Sequence, residues 1–362
     1  MEYKEKTDKE LLAEIPARLL NWYDTCRRIL PWREDPAPYR VWVSEIMLQQ
    51  TRVEAVKPHY ERFLSELPTV QALAEAPEEL ILKLWEGLGY YNRVRNLQKG
   101  ARQVMEKHGG EIPASFEELR SLPGIGEYTA GAIASIAFGI PVPAVDGNVL
   151  RVFSRLLARE DDILDANVKK RMEKEVAGII PPDRAGDFNQ SLMELGATVC
   201  LPNGAPKCGE CPLMEICLAH RLGLEETLPK KSPKKARKIE ERTVFLLTCN
   251  GKLALCRRPE KGLLAGLWEL PGVTGKLDEK GAAQQVQSWG LNAENLQKLS
   301  AAKHIFTHVE WRMTGWAGEV KEESPDFLWA DREELAQGIT LPSAFRAYFP
   351  EMERRLEQGG KR

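Results

Sequence analysis

Apolar side chains recur at helical spacing through the first part of the chain. Leu12, Ile15, Leu19 and Trp22 are three or four positions apart, which places them on one face of a helix. Segments such as PEELILKLWEGLGYY and SFEELRSLPG carry acidic residues near their starts, which is typical of helix N-termini, and prolines separate them. The pattern predicts a mostly helical region over about residues 10–220.

The period of the pattern changes after residue 242. The segment TVFLLTCNGKLALCRRP consists of two β-rich runs around Asn250-Gly251, a dipeptide that favours a tight hairpin turn. This part of the chain therefore predicts a smaller α+β domain. Its further predicted strands and helices are strands over 267–273, 303–319 and 326–330, and helices near 279–289 and 331–337.

The length of 362 residues, with 43% hydrophobic and 29% charged residues, is sufficient for two globular domains. Between them, two prolines and the basic run 230–238 predict an exposed linker. This run is either a solvated tether or a strip that touches phosphates. We expect a first domain over 1–223, a linker over 224–241 and a second domain over 242–362.

The formal net charge of -2 gives no electrostatic sign of a nucleic-acid partner, although local basic patches are compatible with it. The N-terminal MEYKEKTDKE lacks an apolar segment, and no stretch is long enough to span a bilayer. We therefore expect a cytoplasmic protein without a membrane partner. Its seven cysteines should then be reduced unless they bind metal.

Four cysteines fall in the segment CLPNGAPKCGECPLMEIC with the spacing C-x7-C-x2-C-x5-C. This density in a reducing compartment predicts a metal site rather than free core thiols. Zinc and an iron–sulfur cluster both suit four thiolates, and the spacing does not choose between them. The candidate ligands are Cys200, Cys208, Cys211 and Cys217.

The segment SLPGIGEYTAGAIA predicts a tight turn followed by a helix. Gly124 and Gly126 allow the backbone to turn sharply and to approach another chain closely. Amides at the start of the next helix favour an anion, and a DNA phosphate is the natural candidate. The alternative is a plain joint between two helices.

The hairpin, then Asp146 in VPAVDGNVLRVFSR, then the cysteine loop occur in an order that resembles the endonuclease III superfamily of DNA glycosylases. Within it, LPWREDPAPYRVWVSEIMLQQTRVEAV, GLGYYNRVRNL and the C-terminal domain are similar to the MutY family of adenine glycosylases. The resemblance implies a mainly α N-terminal helix–hairpin–helix glycosylase domain with an iron–sulfur loop, plus a smaller α+β Nudix-like domain. It also implies a four-iron, four-sulfur cluster, although the family usually has six residues between the first two cysteines.

Excision of a base requires that the nucleotide be flipped out of the duplex. The departing adenine must be protonated and the cationic sugar stabilised, which two carboxylates in unlike environments can do. Glu45 lies in a helix that is otherwise apolar over 41–48, so its carboxyl should be desolvated and hold a proton. The resemblance assigns it as the general acid; the alternative is a glutamate on a solvated helix face.

Asp146 precedes a predicted helix, where aspartate often serves as an N-cap. The resemblance implies that it also stabilises the sugar cation and that Asn148 orients it. Tyr128 stands where bifunctional relatives carry a lysine that forms a Schiff base. A phenol cannot form an imine, so we expect base removal without strand cleavage, and Tyr128 should hydrogen-bond within the active site.

The resemblance also implies contacts with DNA and with the flipped base. Gln50 and Thr51 should approach the lesion strand, and Leu88 and Tyr90 should wedge beside the lesion. For Leu88 and Tyr90 the alternative is an ordinary core position. The residues expected near the flipped adenine are Trp32, Arg33 and Gln190.

In the C-terminal domain, GLWELPGV resembles the start of a Nudix, MutT-like domain. The following EKGAAQQVQSWG offers glutamines where a Nudix hydrolase needs glutamates for magnesium, so diphosphate hydrolysis is not expected. HIFTHVEW places Phe306, Thr307 and His308 where MutY relatives carry a loop for 8-oxoguanine. The alternative for this stretch is an ordinary edge strand.

The resemblance therefore implies a monofunctional adenine glycosylase that acts as a monomer on double-stranded DNA with adenine opposite 8-oxoguanine or guanine. If the organism is bacterial, we expect the protein to associate with the nucleoid. A nucleotide pyrophosphatase is a rival hypothesis that the missing glutamates oppose. A non-catalytic iron–sulfur DNA-binding protein is another, which the pair of Glu45 and Asp146 opposes.

Overall fold

A computed structural model describes residues 6–233 and 236–359. Within them the chain divides into two compact units, residues 6–75 with 95–233 and residues 76–94 with 236–359. The predicted combination of a mainly helical N-terminal part and a smaller α+β C-terminal part is confirmed. The helices are α1 (Asp8–Cys26), α2 (Pro31–Glu34), α3 (Pro38–Leu48), α4 (Val53–Glu66), α5 (Val70–Glu75), α6 (Glu78–Leu84), α7 (Asn92–His108), α8 (Phe116–Arg120), α9 (Glu127–Phe138), α10 (Gly147–Leu156), α11 (Ala166–Ala177), α12 (Ala185–Thr198), α13 (Leu218–Leu222), α14 (Glu279–Ser288), α15 (Arg332–Gln337) and α16 (Phe349–Gly359).

The strands all lie in the second unit. They are β1 (Lys238–Cys249), β2 (Lys252–Arg257), β3 (Trp268–Glu269), β4 (Gly272–Thr274), β5 (Ala293–Lys298), β6 (Ala302–Ile305), β7 (Val309–Val320) and β8 (Leu328–Ala330). Short 3-10 helices cover Cys208–Glu210, Met214–Ile216 and Ser343–Tyr348.

The two units differ from the predicted boundaries in two places. The segment Ala76–Val94, which contains α6, groups with the second unit rather than with the helical part. The predicted linker 224–241 is divided, because residues up to Pro233 belong to the first unit and Lys238 already begins β1. Lys234 and Lys235, at the centre of the basic run, lie outside the described residues.

The core of the first unit joins α1, α10, α11 and α12. Ile15 and Leu19 of α1 are fully buried there, and Trp22 packs against its edge, as their helical spacing predicts. Phe153 of α10 and Phe188 of α12 occupy the same cluster. This packing fixes the N-terminus of α10, where Asp146 lies.

The second unit is built on a sheet with the strand order β3-β2-β1-β7-β5, with β4 paired to β1, β6 to β7 and β8 to β2. Side chains of β1 alternate between two cores: Val244 and Leu246 face one, and Phe245 and Leu247 face the other. α14 covers one face, and α15 and α16 cover the other. A central strand buried on both faces explains the continuous apolar run of β1.

Local chemistry explains where the strands differ from prediction. The hairpin at Asn250-Gly251 is confirmed, and both residues have the positive φ that its turn requires. The predicted strand 267–273 is interrupted at Pro271, which has no N–H to donate to a ladder. The predicted strand 303–319 is two antiparallel strands, β6 and β7, joined by a turn at 306–308.

No helix in the two described stretches, 6–233 and 236–359, has both the length and the apolar character needed to cross a bilayer.

Candidate active site

Glu45 is a buried carboxyl on α3. The helix is buried continuously from Val41 to Met47, and only 6% of the Glu45 surface is exposed. Burial raises the pKa of Glu45 to about 7, and the nearby charge of Asp146 adds to this, whereas a hydrogen bond from Tyr128 opposes it. Glu45 therefore holds a proton on a substantial fraction of molecules near neutral pH.

Tyr128 lies in the first turn of α9 and contacts this carboxyl directly. Its hydroxyl donates a hydrogen bond to Oε2 of Glu45 at 2.8 Å. Burial raises the pKa of Tyr128 well above its usual value, so the phenol keeps its proton and remains a donor. The hydrogen bond holds Glu45 in one orientation.

Asp146 is the N-cap of α10. Its Oδ1 accepts hydrogen bonds from the backbone amides of Asn148 and Val149, both at 2.8 Å, and the Asn148 side chain donates to its Oδ2 at 2.6 Å. Burial raises the pKa of Asp146, and these hydrogen bonds oppose the rise. The same contacts that begin the helix also fix the direction of the carboxylate.

One pocket of about 620 Å³ brings these groups together. Glu45, Tyr128, Asp146 and Asn148 all contribute to its wall. A pocket of this size is in the range that holds drug-sized ligands. It also includes four residues that the sequence placed near the substrate: Trp32, Arg33, Thr51 and Gln190.

Glu194 is a residue of this pocket that the sequence analysis missed. It is almost fully buried and accepts hydrogen bonds from Arg28, at 2.6 and 2.9 Å, and from Arg33, at 2.8 Å. Burial opposes its ionisation, but the hydrogen bonds from Arg28 and the charge of Arg33 outweigh burial and lower the pKa of Glu194. Glu194 lies in the apolar run SLMELGA, just as Glu45 lies in an apolar run. This position could have predicted that its carboxyl is buried.

The ionised Glu194 orients the residues expected near the base. Held by Glu194, Arg33 donates from Nε to Oε1 of Gln190 at 3.1 Å. Trp32 is buried, and its ring meets that of Tyr60 edge-on at 5.3 Å. These contacts make one wall of the pocket rigid.

The hairpin before α9 has the geometry of an anion site. Gly124 has a φ of +79°, and Gly126 is the N-cap of α9. Both are exposed, and no side chain from the described residues caps this helix. The first-turn amides are therefore open to an external acceptor.

The four cysteines line a single pocket beside α10. Arg155 donates from Nη1 to the Cys200 sulfur at 3.2 Å and to the Leu201 carbonyl at 2.8 Å. A cation at this distance suits a thiolate ligand, so the donor set fits a cluster held by four cysteines. Cys200 joins the others despite the extra residue before Cys208. Cys208 also lies close to His220 and Glu225, a second group that could bind a metal.

Arg151 connects this loop to the active site. It donates from Nε to the Cys200 carbonyl and from Nη2 to Oδ1 of Asn148, each at 2.8 Å. Asn148 in turn donates to Asp146. The position of Asp146 is thus coupled to the fold of the cysteine loop.

Two family matches cover both units. Residues 43–178 match the HhH-GPD superfamily of base excision DNA repair proteins, and residues 243–351 match the NUDIX domain. The adenine DNA glycosylase of Rattus norvegicus is 38% identical, over 97% of this chain and 81% of that protein. The chain belongs to the adenine DNA glycosylase family. The human adenine DNA glycosylase is 37% identical, over 93% of this chain and 75% of that protein.

Solved structures of DNA glycosylases share the fold of the helical part. A thermostable thymine-DNA glycosylase is 29% identical with a TM-score of 0.54, and the match covers 59% of this chain and 98% of that one. Endonuclease III in a trapped covalent complex with DNA is 26% identical with a TM-score of 0.52, over 60% of this chain and 100% of that one. The family and fold expected from the sequence are therefore confirmed.

The turn between β6 and β7 carries Phe306, Thr307 and His308, which the sequence analysis assigned to recognition of the opposite base. Thr307 and His308 are exposed, and Phe306 packs edge-on against His304 and Trp311. The stretch is a turn rather than an edge strand, closed by the hydrogen bond from the Phe306 amide to the Val309 carbonyl at 2.8 Å. Two exposed side chains on a closed turn are available to a partner.

The two candidate wedge residues of the GLGYY segment differ in exposure. Tyr90 is half exposed, has a φ of +48°, and its hydroxyl lies 2.8 Å from that of Thr307. Leu88 is buried, with its amide bonded to the Trp85 carbonyl and its own carbonyl bonded to Arg93. Only Tyr90 projects here, and Leu88 occupies the core position that was the alternative.

Gln50 and Thr51 follow the C-terminus of α3. Gln50 is exposed and has a φ of +57°, whereas Thr51 is partly buried and lines the pocket. The Thr51 amide bonds to the Leu48 carbonyl at 3.2 Å, which ends the helix. Gln50 is therefore the side chain of this pair that faces outward.

Proposed function

We propose that this chain is a monofunctional glycosylase that removes adenine from duplex DNA where it lies opposite 8-oxoguanine or guanine. One observation carries the proposal. A carboxyl with a pKa of about 7, Glu45, and a carboxylate fixed by hydrogen bonds, Asp146, line the same pocket. This is the pairing of acid and cation stabiliser that cleavage of a glycosidic bond requires.

The reaction begins with the flipped adenine in this pocket. As the bond between the sugar C1′ and the base breaks, its electron pair stays with adenine. Glu45 gives its proton to the five-membered ring, so the base leaves neutral. The Asp146 carboxylate stabilises the positive charge on the sugar. A water molecule then adds to C1′ and returns a proton to Glu45, which leaves an abasic site.

The reaction stops at the abasic site because no amine is placed to attack the sugar. Tyr128 stands beside Glu45, and its phenol cannot form an imine. Among the described residues that line the pocket there is no lysine. The strand should therefore remain intact until alkali cleaves it.

The cysteine loop suits a four-iron, four-sulfur cluster held by Cys200, Cys208, Cys211 and Cys217. When bound, the cluster joins the ends of the loop and so contributes to folding. Arg155 offsets the negative charge of the ligands through Cys200. Arg151 donates hydrogen bonds to the loop and to Asn148, and so couples the position of Asp146 to that of the loop.

The C-terminal unit supplies recognition rather than a second activity. The 306–308 turn is the proposed contact for 8-oxoguanine, and the hydrogen bond between Tyr90 and Thr307, which holds Thr307 in place, supports this role. α14 carries Gln284, Gln285 and Gln287 in place of the acidic cluster of a diphosphate hydrolase. We therefore set aside the pyrophosphatase alternative.

Single-turnover excision from three duplexes tests the proposed function. Adenine is placed opposite 8-oxoguanine, guanine or thymine, and the products are analysed with and without alkali. The proposal predicts excision opposite 8-oxoguanine and guanine, little opposite thymine, and strand breaks only after alkali. Absence of excision, or breaks without alkali, would contradict it.

The matched variants Tyr90→Phe and Thr307→Val test the recognition turn. Each removes one hydroxyl of the same hydrogen bond, so both should reduce excision opposite 8-oxoguanine more than excision opposite guanine. The double variant should resemble either single variant, because the bond is already lost. Equal losses of excision on both duplexes would contradict a role of this turn in recognising 8-oxoguanine.

A further inference from the structure

α11 presents a cationic surface that the active site does not use. Lys170 and Lys174 are exposed, four residues apart on one face of the helix. With Arg171 and the acidic Glu173, they line a shallow groove of about 570 Å³ whose lining also includes Pro143. A groove with three basic side chains is distinctive in a chain whose net charge is -2.

The two lysines differ from the other cations of this helix. Lys169 lies 3.7 Å from Glu173, and Arg171 pairs with Asp161. Within residues 6–233 and 236–359, neither Lys170 nor Lys174 forms an ion pair. Lys170 interacts with Glu173 only through its charge, without an ion pair, so both ammonium groups can still bind an external anion.

The groove lies beside α9, the helix that follows the hairpin. Pro143 packs directly on α9, because a Cβ added to Gly131 would lie 2.0 Å from the Pro143 carbonyl oxygen. Gly131 follows the hairpin glycine Gly126 by five residues, or about 7 Å along the helix at about 1.5 Å per residue. Pro143, on the groove lining, thus contacts α9 about one and a half turns from its N-cap.

An electrostatic interaction gives a second link between α11 and the first turn of α9. Burial raises the pKa of Glu173, and repulsion from Glu127, in the first turn of α9, adds to the rise. The acidic Glu127 also means that the first turn adds no positive charge beside the hairpin amides. Positive charge near this turn comes from neighbouring elements, such as Arg120 of α8, which lies 3.8 Å from Glu127.

We propose that Lys170 and Lys174 bind phosphates of the strand held by the hairpin, and so extend the DNA contact surface onto α11. The inference rests on the proposed function, because it assumes that duplex DNA is the partner. Such contacts add affinity without reading sequence. They also make binding depend on salt, because each neutralised phosphate releases counterions.

The test compares the full chain, purified with its cluster, with the double variant Lys170→Gln/Lys174→Gln. Equilibrium binding to an undamaged, fully paired duplex is measured between 50 and 200 mM salt, a range over which such contacts lose affinity steeply. Two lost contacts should reduce the slope of log K against log salt by about 1.8, at about 0.9 for each phosphate. Affinity at the lower salt concentration should fall as well.

A matched double variant controls for the loss of two positive charges. Lys276→Gln/Lys280→Gln removes two exposed lysines from the second unit and should leave the slope unchanged. Glu173→Gln removes the acid from the α11 groove and should strengthen binding. A slope for the α11 variant equal to that of the unaltered chain, or an equal change in the control, would overturn the proposal.

Excision separates this inference from the proposed function. At saturating enzyme, Lys170→Gln/Lys174→Gln should excise adenine at the unaltered single-turnover rate, because neither lysine lines the active-site pocket. A reduced slope in a chain that excises nothing would support the surface and contradict the function. Normal excision with an unchanged slope would support the function and contradict the proposed surface.

Discussion

The Tyr128 hydroxyl donates a hydrogen bond to Oε2 of Glu45 at 2.8 Å, inside the pocket that Asp146 also lines. The hydrogen bond favours the ionised carboxylate, whereas burial favours the neutral acid. Burial is the larger effect and raises the pKa of Glu45 to about 7. The two opposing effects keep the acid close to the pH at which proton donation is most effective.

Tyr128→Phe should therefore move the pH profile of excision. Loss of the donor raises the pKa of Glu45 further, so the alkaline fall in the single-turnover rate should occur at a higher pH than in the unaltered chain. The rate at its optimum should also fall, because the carboxyl loses its orientation. A profile that stays in place or moves to lower pH would contradict the assigned effect of the hydrogen bond.

Glu45→Gln should change how stability depends on pH. Between pH 4.5 and about 7 the folded chain retains a proton that the unfolded chain has lost, so the free energy of unfolding falls as pH rises. The shift corresponds to about 3 kcal/mol of lost stability above pH 7. Glutamine has no proton to lose. Urea unfolding should therefore show a smaller fall in the free energy of unfolding between pH 5 and pH 8 for the variant than for the unaltered chain.

The exposed Glu117→Gln is the control for this measurement, because Glu117 lies on the surface of α8. It should lose as much stability between the two pH values as the unaltered chain. Equal losses in all three proteins would show that Glu45 is not held in its neutral form by burial.

Asp146→Asn should abolish most excision while preserving the fold. Asparagine caps a helix about as well as aspartate, so α10 should still begin at the same residue. The amide lacks the charge that stabilises the sugar cation, and loss of one such group costs roughly 10²–10³ in rate. Thermal unfolding and single-turnover excision measure the two effects separately.

Asp165 provides the matched control for Asp146. It caps α11 in the same way, accepting hydrogen bonds from the amides of Asn167 at 2.7 Å and Val168 at 3.2 Å. Asp165→Asn should keep both stability and excision. If both aspartate variants lost activity equally, the effect would belong to capping and not to catalysis.

Cys200→Ser should reduce the iron bound per chain and the visible absorbance of the cluster. It should also lower the thermal midpoint, because metal binding contributes to folding. The exposed Cys26→Ser should change none of these. Full iron content in Cys200→Ser would exclude Cys200 as a ligand and point to another residue of the loop.

The sequence predicted those parts of the site whose signal is local. Apolar neighbours of Glu45 indicated its burial, and the position of Asp146 before a helix indicated its capping role. Likewise, the helical spacing of Ile15 and Leu19 identified core positions, and Asn250-Gly251 identified the hairpin. Each of these features depends on residues that are only a few positions apart in the sequence.

Features that depend on distant residues were not predictable in this way. Glu194 owes its ionisation to Arg28 and Arg33, more than 160 positions earlier in the chain. The parallel pairing of β1 with β7 follows from sheet topology, which periodicity does not encode. β5 has the sequence AENLQK, which lacks β-branched residues, and only its partner β7 makes it a strand.

Excision of adenine opposite 8-oxoguanine by the unaltered chain and by Glu45→Gln tests the central claim most directly. Under single-turnover conditions the unaltered chain should release adenine, with a rate that declines as pH rises through about 7. Glu45→Gln should bind the same duplex but excise at least about 10²-fold more slowly, since its amide has no proton to give. Excision by Glu45→Gln at the unaltered rate would contradict the account.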